Sequence, residues 1–227
     1  MKEYQPTRRH FLESGLIFLA QPETVFGSNK RNKVCLDPGH GMGNGGHGKF
    51  DPGCIYNGLR ESDIVLDISD RLGESLEREE YGVCYTRRDN EAETSLSERT
   101  RIANASNSDI FVSLHCNSSE NRYARRVETI YFDRSKNGKK LAASMQDNLV
   151  KALQDEYGSA RFPEKMKERI LSTKELGRGL YVLKATKMPA CLVEIGFLSN
   201  DFDANFLKNK QDVVVNGLSK GILKYFK

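Results

Sequence analysis

Apolar runs of strand length alternate with amphipathic segments of helix length from Lys33 to the end of this 227-residue chain. The strand-like runs lie at 33–37, 83–87, 110–114, 127–132, 179–183 and 190–197. The helix-like segments, each with apolar residues on one face, lie at 61–79, at 138–156 and at about 211–226. Such alternation builds crossover units. The pattern therefore predicts an α/β fold with a mostly parallel sheet covered by helices.

Two further segments refine this prediction. Ser95 and Glu98 have the spacing of a capping box, so we expect a helix to begin there. Residues 157–178 are polar and irregular in pattern, which predicts a loop or a lid. No internal repeat or long linker follows residue 32, and we therefore expect one catalytic-size domain over residues 31–227.

The first 30 residues differ from the rest of the chain. TRRHFL, at residues 7–12, places two arginines before two apolar residues, and a short apolar stretch follows at 16–20. This order is that of a twin-arginine signal, an address that an export receptor reads. We predict a twin-arginine-type leader over residues 1–30 and an exported protein of the periplasm or cell envelope. The alternative is an unstructured basic N-terminus.

Net charge and cysteine content limit the partners only in part. The net charge of +4 suits an anionic polymer without selecting one, and we expect no nucleic-acid partner. No apolar run is long enough to span a bilayer.

The five cysteines show no CxxC spacing. Cys35, Cys84 and Cys191 lie in strand-like runs, so we interpret them as small buried side chains and not as metal ligands.

Polar residues stand where predicted strands end, which is where open parallel sheets gather functional groups. His40 follows the first strand, His115 follows the IFVSL run, and Glu194 lies late in ACLVEIGF. A carboxylate buried in so apolar a strand is costly unless it meets a cation or a hydrogen-bond donor. Glu61, at the start of the first helix, is a fourth candidate.

Two histidines and one glutamate are a sufficient ligand set for a catalytic zinc ion, with a water in the fourth position. His40, Glu61 and His115 would meet that need, and Glu194 would serve as general base and acid. Spacing alone supports this assignment weakly, because the ligands are far apart in sequence and no HExxH motif is present.

Five stretches of the sequence resemble a known enzyme family: LDPGHG, GLRESDIVLDISDRL, TRRDN, SERTRIANASNSDIFVSLHCNS and MPACLVEIGFLSN. Over about residues 33–226 the chain resembles the zinc-dependent N-acetylmuramoyl-L-alanine amidases, the amidase class 3 family of bacterial cell-wall hydrolases. The resemblance implies that His40, Glu61 and His115 bind zinc and that Glu194 is catalytic. It implies a six-stranded sheet between helices. It also implies hydrolysis of the amide between the lactyl group of N-acetylmuramic acid and L-alanine of the peptidoglycan stem peptide.

The loop around His40 is rich in glycine, at positions 39, 41, 43, 45 and 46. We interpret these residues as a turn that leads away from the metal and leaves a path for a bulky polymer. The stretch MGNGGHGKF delays the second Asp-Pro-Gly, at residues 51–53, relative to the usual arrangement in the family.

Other polar residues compete for roles at the site. Asp63 could take the place of Glu61 but does not match the motif, and His47 is expected to be solvated. Glu128 either supports the site or is only a strand-edge acid, and Asn117 could orient a ligand or the substrate.

The basic loop after His115 also has two interpretations. Arg122, Arg125 and Arg126 could meet carboxylates of the stem peptide, although a solvated basic loop is the interpretation we favour. The short distance from His115 to the RVETIYF run leaves no room for an inhibitory helical insertion. We therefore expect an enzyme that needs no obligatory activator.

Two other functions remain open at this point. Another zinc-dependent peptidoglycan hydrolase, a carboxypeptidase or a deacetylase, would use the same ligands. A non-catalytic cell-wall binding module with an inactive metal centre is the third candidate.

Overall fold

The computed structural model describes residues 32–227, so the predicted leader lies outside the described residues. One sheet is built from six strands: β1 (Lys33–Pro38), β6 (Gly82–Tyr85), β7 (Ile110–Asn117), β8 (Glu128–Tyr131), β9 (Ile170–Ser172) and β10 (Ala190–Phe197). Two short antiparallel ribbons pair β2 (Gly41–Met42) with β3 (Phe50–Asp51) and β4 (Ile55–Tyr56) with β5 (Leu59–Arg60). The helices are α1 (Glu61–Arg78), α2 (Leu96–Ala105), α3 (Lys136–Tyr157), α4 (Tyr181–Ala185), α5 (Asp201–Asn209) and α6 (Gln211–Tyr225), with a 3₁₀ helix at Glu164–Glu168.

The strand order in the sheet is β6-β1-β7-β10-β8-β9. Neighbouring strands are parallel except β10 and β8, which are antiparallel. The carboxyl ends of β1, β7 and β10 therefore share one edge of the sheet, and the carboxyl ends of β8 and β9 lie at the opposite edge. The predicted single-domain α/β fold with a mostly parallel six-stranded sheet is confirmed.

Helices cover both faces of the sheet. Alternate residues of β1 enter different cores: Val34 and Leu36 join the core with α1, α3 and α6, whereas Cys35 joins the core with α2 and α4. Residues at a spacing of four form the buried face of α1. The predicted capping box is partly confirmed, since Ser95 Oγ accepts a hydrogen bond from the Glu98 backbone N–H at 3.2 Å.

Two local predictions were wrong. The GLYVL run does not form a strand, because Val182 and Leu183 turn into the core as part of helix α4. An apolar run of five residues does not distinguish a strand from a buried helical turn. The polar segment 157–178, predicted to be a loop, contains the 3₁₀ helix and the edge strand β9. Helix α5 was not predicted.

All five cysteines are free. Cys35 and Cys191 are fully buried, as predicted, whereas the prediction was wrong for Cys84, which lies on the outer strand β6 and is only partly buried. Within residues 32–227, no helix combines the length and hydropathy needed to cross a membrane.

Candidate metal centre and active site

His40, Glu61 and His115 meet at the carboxyl edge of the sheet. His40 Nε2 lies 3.0 Å from Glu61 Oε1, and His115 Nδ1 lies 3.1 Å from the same oxygen. One potential ligand atom from each residue falls within 4.8 Å of the other two. The structure thus brings together the three residues predicted as metal ligands, although they are widely separated in sequence.

Each of the three residues is placed by the end of a regular element. His40 follows β1 with a positive φ of 61°, a strained conformation for a residue with a side chain. His115 is the sixth residue of β7, and Glu61 is the first residue of α1. Adjacent parallel strands β1 and β7 bring the two imidazoles to a centroid separation of 4.9 Å.

Two backbone amides fix the carboxylate of Glu61. The Cys116 N–H donates to Oε1 at 2.8 Å, and the Cys54 N–H donates to Oε2 at 2.9 Å. Burial alone would raise the pKa of Glu61, but hydrogen bonds and charge from His115 and His40 lower it well below its usual range. Glu61 is therefore held as an anion between two imidazoles.

Asp51 orients the first imidazole. Its Oδ2 lies 2.8 Å from His40 Nδ1, which leaves Nε2 to face Glu61. The inserted stretch brings Asp51 to this position, because β2 and β3 fold it into a ribbon that pairs Gly41 with Asp51. Carboxylates that accept from the second nitrogen of a ligand histidine fix its tautomer and raise its basicity. The resemblance did not point to Asp51, and the sequence signal was only the second Asp-Pro-Gly.

Two glycines make room for the ligands. A Cβ at Gly39 would overlap the ring of His115, and a Cβ at Gly53 would lie 2.6 Å from Glu61 Oε2. Gly53 also has a φ of 66°, which glycine adopts without strain. Glycine at these two positions therefore serves the close packing of the ligands, in addition to any opening of a path for substrate.

Two buried arginines hold the backbone that presents His40. Arg87 donates to the carbonyls of Pro38 at 2.9 Å and Gly39 at 2.6 Å. Arg99 donates to the Pro38 carbonyl at 2.8 Å and also to the His40 carbonyl. Sequence reasoning assigned no role to either arginine, although both lie within the quoted TRRDN and SERTR stretches.

The charge of Arg99 is balanced inside the protein by Asp37. Arg99 Nη1 lies 2.8 Å from Asp37 Oδ1, and both side chains are almost fully buried. Hydroxyls of Thr86 and Ser113 also donate to this carboxylate, at 2.6 and 2.7 Å. Burial would raise the pKa of Asp37, but Arg99 and the two hydroxyls lower it below its ordinary value.

Glu194 lies beside the cluster on the neighbouring strand. It is opposite His115 in the parallel pairing of β10 with β7, and the register shifts immediately beyond it. Burial raises the pKa of Glu194 to about 7, His115 opposes the rise, and the charges of Glu61 and Glu128 add to it. Its Oε2 is buried without a hydrogen-bond partner. A carboxyl group that titrates near neutrality is suited to general acid–base chemistry.

Glu128 lies on the other side of Glu194, opposite it in the antiparallel pairing with β8. It is buried, forms ion pairs with Arg126 and Arg169, and accepts a hydrogen bond from Asn117 at 3.2 Å. Of the two interpretations of Glu128, the structure therefore favours a supporting position next to Glu194. Asn117 contacts Glu128 and has no hydrogen bond to the cluster among the described residues.

The remaining candidates lie away from the cluster. The carboxylate of Asp63 accepts from Arg60 at 2.7 Å and from Asn90 at 2.6 Å. His47 is 95% exposed and pairs with Glu93.

The three arginines of the loop after His115 also differ from one another. Arg125 is not simply solvated, since it lies 2.7 Å from the buried carboxylate of Asp203. Arg126 pairs with Glu128, at 3.4 Å. Arg122 packs over the ring of Tyr56 and has no carboxylate partner within the described residues.

The donor set fits zinc. Ligand atoms about 2.0–2.1 Å from a tetrahedral ion lie roughly 3.4 Å from one another, close to the separations observed around Glu61 Oε1. Two imidazoles, one carboxylate and an open fourth position are typical of a catalytic zinc site, and a structural site would be closed by a fourth side chain. His40, Glu61 and His115 could therefore hold such an ion.

Comparison with known proteins identifies relatives of the whole described domain. A family model described as N-acetylmuramoyl-L-alanine amidase matches residues 34–224. The chain is 34% identical over 182 residues to the protein called uncharacterized protein YqiI of Bacillus subtilis (strain 168), covering 76% of this chain and 80% of that protein. It is 28% identical over 211 residues to the germination-specific N-acetylmuramoyl-L-alanine amidase of the same organism, covering 85% of this chain and 79% of that protein.

The fold is also similar to that of a solved amidase. The CwlD amidase of Clostridioides difficile, in a complex with the GerS lipoprotein, aligns with a TM-score of 0.72 and 26% identity, over 86% of this chain and 98% of that chain. The family match, which spans nearly all of residues 32–227, agrees with the resemblance found in the motifs. This chain belongs to the N-acetylmuramoyl-L-alanine amidase family.

Proposed function

We propose that this amidase uses a zinc ion held by His40, Glu61 and His115, with Glu194 as the catalytic carboxylate. The bond it hydrolyses joins the lactyl group of N-acetylmuramic acid to L-alanine of the peptidoglycan stem peptide. The observation that carries the proposal is the convergence of two imidazoles and one carboxylate beside Glu194, which directly faces His115 in the sheet.

The chemistry divides between the metal and the chain. A bound zinc ion would supply Lewis acidity and lower the pKa of water toward neutrality. Glu194, with a pKa of about 7, is suited to accept a proton from the attacking water and to return a proton to the amine of the departing L-alanine. The Cys54 and Cys116 amides keep Glu61 oriented, and Asp51 keeps His40 oriented throughout.

A cleft beside the carboxyl edge of the sheet, where the candidate metal ligands lie, is suited to the stem peptide. It has a volume of about 610 Å³ and is lined by residues of the loop that follows β7 and of the start of α5, including Arg122 and Asp201. Arg161, from the segment after α3, lines it as well and packs over Phe202. Among the described residues, neither Arg122 nor Arg161 has a carboxylate partner, so both guanidinium groups could meet carboxylates of a bound peptide.

Digestion of purified peptidoglycan tests this function. The wild-type protein should release stem peptides with a free L-alanine amino terminus and leave the glycan intact. A chelator should stop the reaction, and zinc should restore it. Release of a terminal D-amino acid or of acetate would identify a carboxypeptidase or a deacetylase, and a lack of any product would leave only a binding module.

We further propose export to the periplasm or cell envelope by the twin-arginine route, on the basis of the TRRHFL stretch and the location of the substrate. Activity without an activator is part of the proposal, supported by the short connection between β7 and β8. Purified protein that cleaves peptidoglycan only after an envelope extract is added would contradict it.

A further inference from the structure

Positive charge is concentrated in two segments of the chain, 133–140 and 173–187, which we call the basic edge. Together they carry eight Lys or Arg residues and two carboxylates, a net charge of +6, whereas the whole chain has +4. The cations are Arg134, Lys136, Lys139, Lys140, Lys174, Arg178, Lys184 and Lys187. The rest of the protein is therefore slightly acidic, and the positive charge of this chain is a local feature.

The topology brings both segments to one edge of the sheet. Residues 133–140 continue from the carboxyl end of β8 into α3, and residues 173–187 connect the carboxyl end of β9 to the start of β10. Because β8 and β9 run opposite to β10, this edge lies across the sheet from His115 and Glu194. The Thr173 hydroxyl joins the two segments by donating to the carboxylate of Asp133 at 2.9 Å.

The segments enclose an open cleft of about 490 Å³. Four cations line it, namely Arg134, Lys174, Arg178 and Lys184, together with the single carboxylate of Asp133. All eight cations of the basic edge are exposed, and none has a carboxylate within 4 Å among residues 32–227. Exposed lysines elsewhere do form such pairs, for example Lys210 with Glu156 at 2.8 Å.

We propose that the basic edge is a second binding site, distinct from the catalytic centre, for a phosphate-bearing anionic polymer of the cell envelope. Unpaired Lys and Arg side chains on both walls of an open cleft suit a chain with repeated phosphate groups better than one small anion. A polymer bound there would hold the enzyme on the wall and leave the edge of the sheet with His115 and Glu194 accessible. The location of this polymer in the envelope rests on the proposed function, but the recognition of charge does not.

A concave site also favours a polymer chain over a lipid surface. Membrane-surface sites combine basic residues with exposed apolar side chains that enter the lipid. Within the described part of the basic edge, Tyr181 is the one large hydrophobic side chain that is exposed, at 50%.

Binding of the full chain to a fluorescent oligomer of glycerol phosphate tests the proposal. The triple variant Lys174→Gln, Arg178→Gln, Lys184→Gln should bind about tenfold more weakly at low salt. The matched control is Lys208→Gln, Lys220→Gln, Lys224→Gln, which removes the same charge from exposed positions elsewhere and should stay within about twofold of wild type. Equal loss in both variants, or no loss in either, would overturn the proposal.

Two further arms distinguish the source of the phosphate groups. Tighter binding to phosphatidylglycerol vesicles, or to an oligothymidylate of equal charge, than to the glycerol phosphate oligomer would assign the basic edge to another partner and overturn the proposal. Cleavage of a small soluble muropeptide should be unchanged in both triple variants. If the wild-type protein itself does not cleave the muropeptide, the proposed function is refuted. Failure of the proposed function is therefore distinguishable from failure of the binding proposal.

Discussion

Glu194 directly faces His115 across the pairing of β10 with β7, and its Oε2 is buried without a hydrogen-bond partner. The carboxyl group thus lies beside the candidate metal ligands but is not held by any donor of the described chain. The three candidate ligands, by contrast, each contact one another or a fixed amide. This difference agrees with the proposed roles, in which Glu194 moves protons and the other three residues hold an ion.

Glu194→Gln should abolish turnover without loss of the metal. The amide keeps the size of the side chain but cannot accept the proton from water, and general acid–base groups contribute about 10²–10⁴-fold in rate. Zinc content measured by atomic absorption should equal that of wild type. A variant that loses zinc together with activity would show that Glu194 is a ligand.

The rate should fall as pH decreases below about 7. Glu194 must be ionised to act as a base, and burial raises its pKa to about 7 in the metal-free protein, whereas a zinc ion beside it would lower that pKa toward its ordinary value of 4.5. The pKa of His40 responds to burial, which lowers it, and to Glu61 and Asp51, which raise it above its ordinary value. Protons should therefore also compete with zinc at acidic pH. Measurement of kcat/KM at saturating zinc separates the two effects, and a profile that stays flat from pH 8 down to the ordinary carboxyl pKa of 4.5 would contradict the assignment.

Glu194 should also cost stability in the metal-free protein. Because burial raises its pKa from 4.5 to about 7, the folded state binds the proton more tightly than the unfolded chain does. The stability that depends on the protonated carboxyl group is fully present below about pH 4.5. It is lost as pH rises through about 7, because the folded protein must then bury the charged form. Denaturant unfolding of metal-free protein at pH 8.5 should find Glu194→Gln more stable by about 3 kcal/mol, with little difference at pH 4. If the variant and the wild type are equally stable at each of the two pH values, the Glu194 carboxyl group is solvated.

Asp51→Asn should weaken zinc binding through His40. An amide at this position no longer supplies a charged acceptor at Nδ1, and loss of such a partner typically reduces metal affinity or activity about 10–100-fold. Competition with a chromogenic chelator measures the affinity. His47→Gln, in the inserted stretch that precedes Asp51 but 95% exposed, is the control and should bind zinc as wild type does.

Gly39→Ala should disturb the site by steric overlap with His115. Overpacking of this kind typically costs about 1–3 kcal/mol, and here it would displace a ligand ring as well. Gly179→Ala is the matched control, since a Cβ there meets nothing within 4 Å. The thermal unfolding temperature and the zinc affinity should both decrease in Gly39→Ala. Both should stay at the wild-type values in Gly179→Ala.

Arg99→Leu should be strongly destabilising, by about 3–5 kcal/mol, because it leaves the buried carboxylate of Asp37 without its cation. Adding Asp37→Asn should recover part of the loss. A double-mutant cycle with no coupling between the two sites would show that the pair is not a unit.

The alternating pattern of apolar runs predicted the parallel sheet because strand and helix periods differ clearly over long segments. The edge strand Ile170–Ser172 was missed because three residues in a polar segment carry no period. Tyr181–Ala185 has the opposite problem, since its apolar residues suit a strand and a buried helical turn equally well. Tertiary contacts decide such short elements.

The candidate ligands were accessible from the motifs, but their support was not. Asp51 reaches His40 only because β2 and β3 fold into a ribbon, which an inserted glycine-rich stretch does not reveal. Arg87 and Arg99 act through backbone carbonyls, and such contacts leave no pattern in the sequence of the residues they hold.

The most direct measurement is an anomalous diffraction map of zinc-loaded crystals, recorded at the zinc absorption edge. One strong peak should lie about 2.0–2.1 Å from a nitrogen of His40, a nitrogen of His115 and an oxygen of Glu61, with Glu194 outside the ligand shell. A map without a peak between these three side chains, or with a peak coordinated by Glu194, would contradict the account.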